Sequence, residues 1–143
     1  IVHRLDKDTS GLMLFAKNRS AASKISKLFL NNEIHKFYIA STENLFKKSS
    51  GILININTEN KNLKLLYRRI SLNSSTNTYL IKLLTGKKHQ IRLQFFLNNN
   101  PIIGDKKFNS KSKLELQLSS VSLKFHYEGK FYKFKLGLNQ IFQ

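Results

Sequence analysis

Short strand-like segments dominate this chain, and they follow no strand–helix–strand rhythm. The clearest is residues 52–57, Ile-Leu-Ile-Asn-Ile-Asn, whose strict alternation is that of a half-buried strand. Residues 11–17 form a short apolar run between Ser10-Gly11 and Asn18 and read as a buried strand. Residues 36–41 and 77–84 read as strands, and 64–70 as a weaker one. Two further alternating segments, 114–125 and 131–138, are joined by a hairpin-like turn at 126–130. Helical period occurs in only two places. Asn18 is placed to cap a helix over 19–30, with Ala22, Ile25, Leu28 and Phe29 on one face and Asn31-Asn32 at its end. A second helix is expected from Lys88 to Leu97, halted by three asparagines and Pro101. The pattern predicts an α+β domain: a mainly antiparallel mixed sheet with a few packed helices.

With 143 residues and no Pro/Gly/Ser-rich linker or internal repeat, residues 1–143 read as a single domain. The chain starts at Ile1 and carries no signal peptide, so it reads as a fragment or a processed product. No apolar run approaches the ~20 residues of a membrane-spanning helix. The absence of cysteine excludes disulfides, thiolate metal sites and a cysteine nucleophile. Four scattered histidines show no ligand spacing, so metal chemistry is not expected. Lys+Arg 25 against Asp+Glu 8 gives a net charge of +17, which favours a polyanionic partner, nucleic acid first. Lysine outnumbers arginine 20 to 5, as a nucleotide-biased genome would also produce. Each arginine is therefore worth separate notice, because a planar bidentate guanidinium does what an ammonium cannot.

Two loops concentrate the groups able to do chemistry. Aspartate occurs only as Asp6, Asp8 and Asp105, and two of these lie in the polar loop of residues 3–12, which feeds straight into an apolar run. A loop mounted on a sheet rim in this way is backed rigidly and open to solvent. Read without further context it is an ordinary solvated turn. The second cluster is Thr85-Gly86-Lys87-Lys88-His89-Gln90-Ile91-Arg92, where a glycine turn, a helix start and three basic side chains make a natural anion site. Arg92 adjoins the Ile91/Phe95 stripe, so partial burial and a carboxylate partner are expected for it.

HRLDKDTSGLMLFAK at residues 3–17, KFYIA at 36–40, LLTGKKHQIRLQ at 83–94 and PIIGDKKF at 101–108 together resemble the RluA group of RNA pseudouridine synthases, in the family's order and spacing. The resemblance is closest to bacterial enzymes that modify large-subunit ribosomal RNA. It is strong to about residue 110 and loose in the C-terminal third. It implies the pseudouridine synthase catalytic fold, here lacking its N-terminal strands and any separate small RNA-binding domain. It implies that Asp6 is the catalytic aspartate, Tyr38 the active-site tyrosine and Arg92 the arginine that pairs with the aspartate. Arg4 matches the arginine that fills the stack vacated by a flipped nucleotide. Lys87 stands where relatives often carry arginine; with Lys88, His89 and Gln90 it would meet RNA, the last two also supporting Arg92 or capping the helix.

The chemistry suits those residues. Isomerising uridine breaks the N1–C1′ bond, turns the uracil and rejoins it through C5, with nothing oxidised and nothing lost, so no cofactor is expected. A carboxylate can attack C1′ or take a proton from the sugar to give a glycal-type intermediate, and the sequence leaves both open. The reading is therefore a cytoplasmic, monomeric uridine-to-pseudouridine isomerase on structured RNA, ribosomal RNA ahead of tRNA. Its rivals are a non-catalytic RNA-binding or ribosome-assembly module of the same fold, and a basic domain whose charge reflects genome bias alone.

Overall fold

The computed structural model describes residues 1–72 and 76–137. In chain order it contains β1 (Ser10–Gly11), α1 (Arg19–Leu30), β2 (His35–Thr42), β3 (Ser50–Ile56), β4 (Asn62–Leu72), β5 (Asn77–Leu83) and α2 (Gln90–Leu97). A 3-10 turn at Lys106–Phe108, β6 (Leu118–Tyr127) and β7 (Lys130–Lys135) follow. The strands form one sheet in the order β1-β6-β2-β5-β4-β3, with β7 also on β6. Every pairing is antiparallel except the short parallel contact of β1 with β6. This is the α+β, mainly antiparallel mixed sheet that the patterning predicts.

Local chemistry fixes the turns. Asn57 accepts from the backbone N–H groups of Glu59 (3.1 Å) and Lys61 (2.8 Å), which closes the β3–β4 hairpin. Glu128 (φ 49°) and Gly129 (φ 75°) are both left-handed, the geometry of a two-residue turn that matches strand twist, and join β6 to β7. Asn18 accepts from Ala21 N–H at 2.8 Å, so the cap and both ends of α1 fall where the sequence places them.

Both helices pack on one face of the sheet. Ile91 and Phe95 of α2 meet Tyr38, Leu65, Tyr67, Tyr79 and Ile81 from the strands. Phe46, Tyr67, Tyr79 and Phe95 interlock there with ring centroids 4.5 to 6.0 Å apart. Ile25 of α1 lies in a second core with Ile34, Leu123 and Phe125. Leu123 pairs in register with Lys36, which shares a strand face with Tyr38, so the two cores are on the same side. Among the described residues no helix packs on the opposite side of the sheet, and Ile52, Ile54, Ile56 and Leu66 are exposed there.

Some expected boundaries move. Residues 11–17 are not a strand: only Ser10–Gly11 pairs, because β7 occupies the same edge of β6 from Ser122 onward. The rest of that run is extended but unpaired, with Leu12, Leu14 and Ala16 turned into the second core and Met13 and Phe15 outward. The second helix begins at Gln90 rather than Lys88, since His89 has φ 53°. The expected strand 114–125 starts only at Leu118, as Gln117 N–H instead donates to Ile103 O at 2.9 Å. Strand 131–138 is realised as β7, and position 138 lies outside the described residues. Among the described residues no helix is long and apolar enough to cross a membrane.

Candidate active site

The loop of residues 3–9 is held at both ends. Thr9 N–H donates to Asp6 O at 2.9 Å, closing a turn with Lys7 and Asp8 at its tip. Beyond it, Gly11 (φ 110°) lies so close to β6 that a Cβ would sit 2.2 Å from Ser120 O, and only glycine fits. At the other end His3 Nε2 accepts from Leu14 N–H at 2.8 Å, and its ring stacks on Phe29 of α1 at 4.3 Å. Burial first, and the charge of Lys36 second, lower the His3 pKa to about 4, so the ring is neutral and accepts. Asp6 is thereby presented from a fixed loop, its side chain 23% exposed.

Across the cleft, Gln90 clasps the turn that precedes α2. Its side-chain oxygen accepts from Thr85 Oγ1 (2.9 Å) and Lys87 N–H (3.0 Å), while its nitrogen donates to Lys64 O and Gln94. The left-handed His89 then turns the chain into the helix, and Arg92 falls in the first turn, buried.

Arg92 has two carboxylates. Its close partner is Asp105, which is fully buried: Nε donates to Oδ2 and Nη2 to Oδ1, both at 2.7 Å. Those bonds are the main reason the guanidinium pKa is raised. Gly104 (φ 76°) makes the turn that delivers Asp105, and a Cβ there would meet Glu115 O at 2.1 Å. The remaining nitrogen, Nη1, faces Asp6 Oδ2 at 3.8 Å. The pairing of Arg92 with Asp6 that the resemblance implies is thus the looser of the two, because Asp105 has already fixed the guanidinium plane.

His89 stands on the other oxygen, with Nε2 3.8 Å from Asp6 Oδ1. Its Nδ1 lies 3.0 Å from Lys107 Nζ, and since an ammonium only donates, Nδ1 accepts and the ring proton is assigned to Nε2, facing Asp6. Burial lowers the imidazole pKa; Asp6 opposes this, and Lys107, Arg92 and Lys88 add to it. Tyr38 rises from β2 beneath the loop, 8% exposed, its phenol pushed up to about 12 by burial and then by the Asp6 charge, against the Ser120 hydroxyl. It is a neutral phenol at physiological pH.

These groups line one cleft of about 760 Å³. Every residue expected at the site lies along it: Asp6, Tyr38 and Arg92 inside, Arg4, Lys87 and Lys88 exposed on the rim, His89 between. Gln90 differs from expectation. It is buried with its amide committed inside the protein and makes no bond to Arg92, so it shapes the turn that precedes α2. Three contributors are missing from the sequence reading. Asp105 anchors Arg92, His3 ties down the loop, and Lys36 points a half-buried ammonium, its pKa lowered by burial, into the cleft. Only Asp105 carried a signal, as one of three aspartates in a chain where any buried arginine needs one.

Residues 1–96 match the family described as RNA pseudouridylate synthase. The chain belongs to that family. An RNA pseudouridine synthase of Haemophilus influenzae, named as uncharacterized, is 30% identical over 145 residues, covering 92% of this chain and 65% of the relative. Ribosomal large subunit pseudouridine synthase C of Rickettsia typhi is 34% identical over 127 residues, 78% of this chain and 42% of the relative. This pseudouridylate synthase chain therefore spans between about two fifths and two thirds of the length of these curated relatives. Among solved structures, human RNA pseudouridylate synthase domain containing 4 superimposes with a TM-score of 0.84 at 22% identity, over 99% of this chain and 72% of that one. Human RNA pseudouridylate synthase domain containing 1 gives 0.84 at 19% identity over 95% of this chain and 67% of that one. At those identities the likeness is one of fold.

Proposed function

We propose that this chain is the catalytic part of a cytoplasmic enzyme that isomerises uridine to pseudouridine in structured RNA, with large-subunit ribosomal RNA as substrate and Asp6 as the catalytic carboxylate. One observation carries the reading. Asp6 is a partly exposed carboxylate at the floor of a cleft, facing Nη1 of a guanidinium that a second carboxylate holds still. Such preorganised charge acts without reorganising when the reaction occurs. The ribosomal substrate is supported by the name of the Rickettsia relative.

A target base leaves its stack at a cost of a few kcal/mol, and Arg4 on the rim is placed to fill the gap. The ribose C1′ then meets Asp6, which either bonds to it as N1 departs or removes a sugar proton. The released uracil turns over the Tyr38 ring. C5 bonds to C1′ as the Asp6–C1′ bond breaks or the sugar proton returns; C5 then loses its proton and N1, which carries none in uridine, gains one, so atoms balance without a co-reactant. A phenol with a pKa near 12 is a poor base at neutral pH, so Tyr38 stacks on and hydrogen-bonds the uracil as a neutral group.

The test is Asp6→Asn in the whole chain, assayed by pseudouridine formation within a ribosomal RNA transcript and by RNA affinity. Turnover is expected to fall by at least about a thousandfold with affinity near that of wild type. Near-normal turnover would sink the reading. RNA retention without isomerisation by the unaltered chain would favour a non-catalytic binding module.

A further inference from the structure

On the face of the sheet where no described helix packs, basic side chains gather over β5, β2, β6 and β7, beside the isoleucines of β3. In-register pairs place Lys82, Phe37, Ser122 and Lys135 in one row across β5, β2, β6 and β7, and His35, Lys124 and Lys133 in the next. His126 and Phe131 follow on the same side, and Arg68 and Lys64 extend the charge onto β4. Following the same registers along every described strand, no residue directed to this face is acidic.

That arrangement is unfavourable as it stands. Lys124 and Lys133 are directly opposite one another, and like charges so placed destabilise a strand pair. The ammonium groups of Lys124 and Lys82 both approach the Phe37 ring, at 4.7 and 6.0 Å. Among the described residues no carboxylate ion-pairs with either lysine, and the surface pairs Lys24–Glu128 and Lys61–Glu59 lie elsewhere. His35 responds to the crowding: burial first, then Lys82, Lys124 and His126, lower its pKa. An anion is what the patch lacks. Beside it Phe131 is 57% exposed and rests on His126 with centroids 5.0 Å apart, an aromatic face open to a stacking partner.

We infer that this open face binds a single-stranded RNA segment, with Lys82, Lys124 and Lys133 on successive phosphates and Phe131 stacking on a base. The spacing of phosphate-binding cations beside an exposed ring is the chemistry of a sequence-tolerant single-strand site. It lies on the side of the sheet away from the Asp6 cleft and would hold RNA flanking the target. The inference rests on the proposed RNA partner, but it does not depend on catalysis.

The test measures binding of a labelled single-stranded RNA to the full chain across a salt series. Lys124→Gln/Lys133→Gln is compared with Lys111→Gln/Lys113→Gln, which removes the same charge from a segment outside the paired strands. The first pair is expected to flatten the log affinity–log salt slope by about 1.4, at 0.7 per lost phosphate contact, while the control pair changes it little. Melting temperature should hold or rise as the like-charge pair is relieved; Lys133→Gln, on the outer strand, serves if the double variant does not fold. Phe131→Ala should weaken binding about tenfold and Phe131→Trp restore it. Equal slopes for the two pairs would reduce the face to diffuse charge and overturn the inference. Loss of binding to anionic phospholipid vesicles with RNA binding unchanged would assign the face to a membrane and also overturn it. Because the readout is binding, an inactive but RNA-binding chain leaves this result decisive while sinking the catalytic reading.

Discussion

Asp105 does not line the cleft, yet it decides where Arg92 points. A bidentate carboxylate removes the rotational freedom of the guanidinium, and the one nitrogen left over is the one that looks at Asp6. Asp105→Asn turns this buried pair into an uncompensated buried charge, and a cost of about 3–5 kcal/mol is expected in urea unfolding. Turnover should fall in the same variant with KM for RNA little changed, since Arg92 loses its aim rather than the protein its phosphate contacts; Asp105→Glu should recover part of the stability but less of the turnover. The sequence shows the pairing need but not the partner. A buried arginine asks for a carboxylate, and both Asp6 and Asp105 were candidates by type. Which one lies closer depends on the turn at Gly104, a conformation forced by the distant backbone of Glu115 and therefore invisible to local reading.

Elements were legible where their cause is local. Asn18 and the spacing of Ile25, Leu28 and Phe29 specify α1 without help from the rest of the chain, and Glu128-Gly129 specify a hairpin turn. The run 11–17 was not, because its fate turns on which neighbour reaches the edge of β6 first. His3 shows how a segment without ladder bonds is nevertheless held: a neutral imidazole accepts from Leu14 and stacks on α1. Its folded pKa, about 4, lies below the ordinary 6.5, so the unfolded chain binds the extra proton. The stability it contributes is complete above pH 6.5 and is lost as pH falls towards 4. Part of the ring is open to water, which leaves about 1–2 kcal/mol after screening. Urea midpoints of wild type and His3→Gln should converge between pH 7.5 and 4.5, and a constant gap would show that His3 does not titrate across folding.

As a whole molecule, the protein is a sheet whose cleft-shaping residues lie on one side, while basic side chains and exposed isoleucines mark the other. Ile52, Ile54 and Ile56 lie on β3, the last strand in the order, whose outer edge no described strand pairs, an arrangement that offers backbone groups to another chain. Ile56 is 61% exposed and pairs with Asn62, so Ile56→Lys should leave the melting point within the change expected of about 0.5 kcal/mol while lowering light scattering at high concentration. Increased scattering would show that the net charge, not the edge, governs association. One arrangement ties the two ends of the chain together. The single margin of β6 is divided between two tenants: residues 119 and 120 take β1, and 122 onward take β7. A C-terminal strand two residues longer would evict the loop that carries Asp6, so the length of the last strand is a setting for the position of that carboxylate.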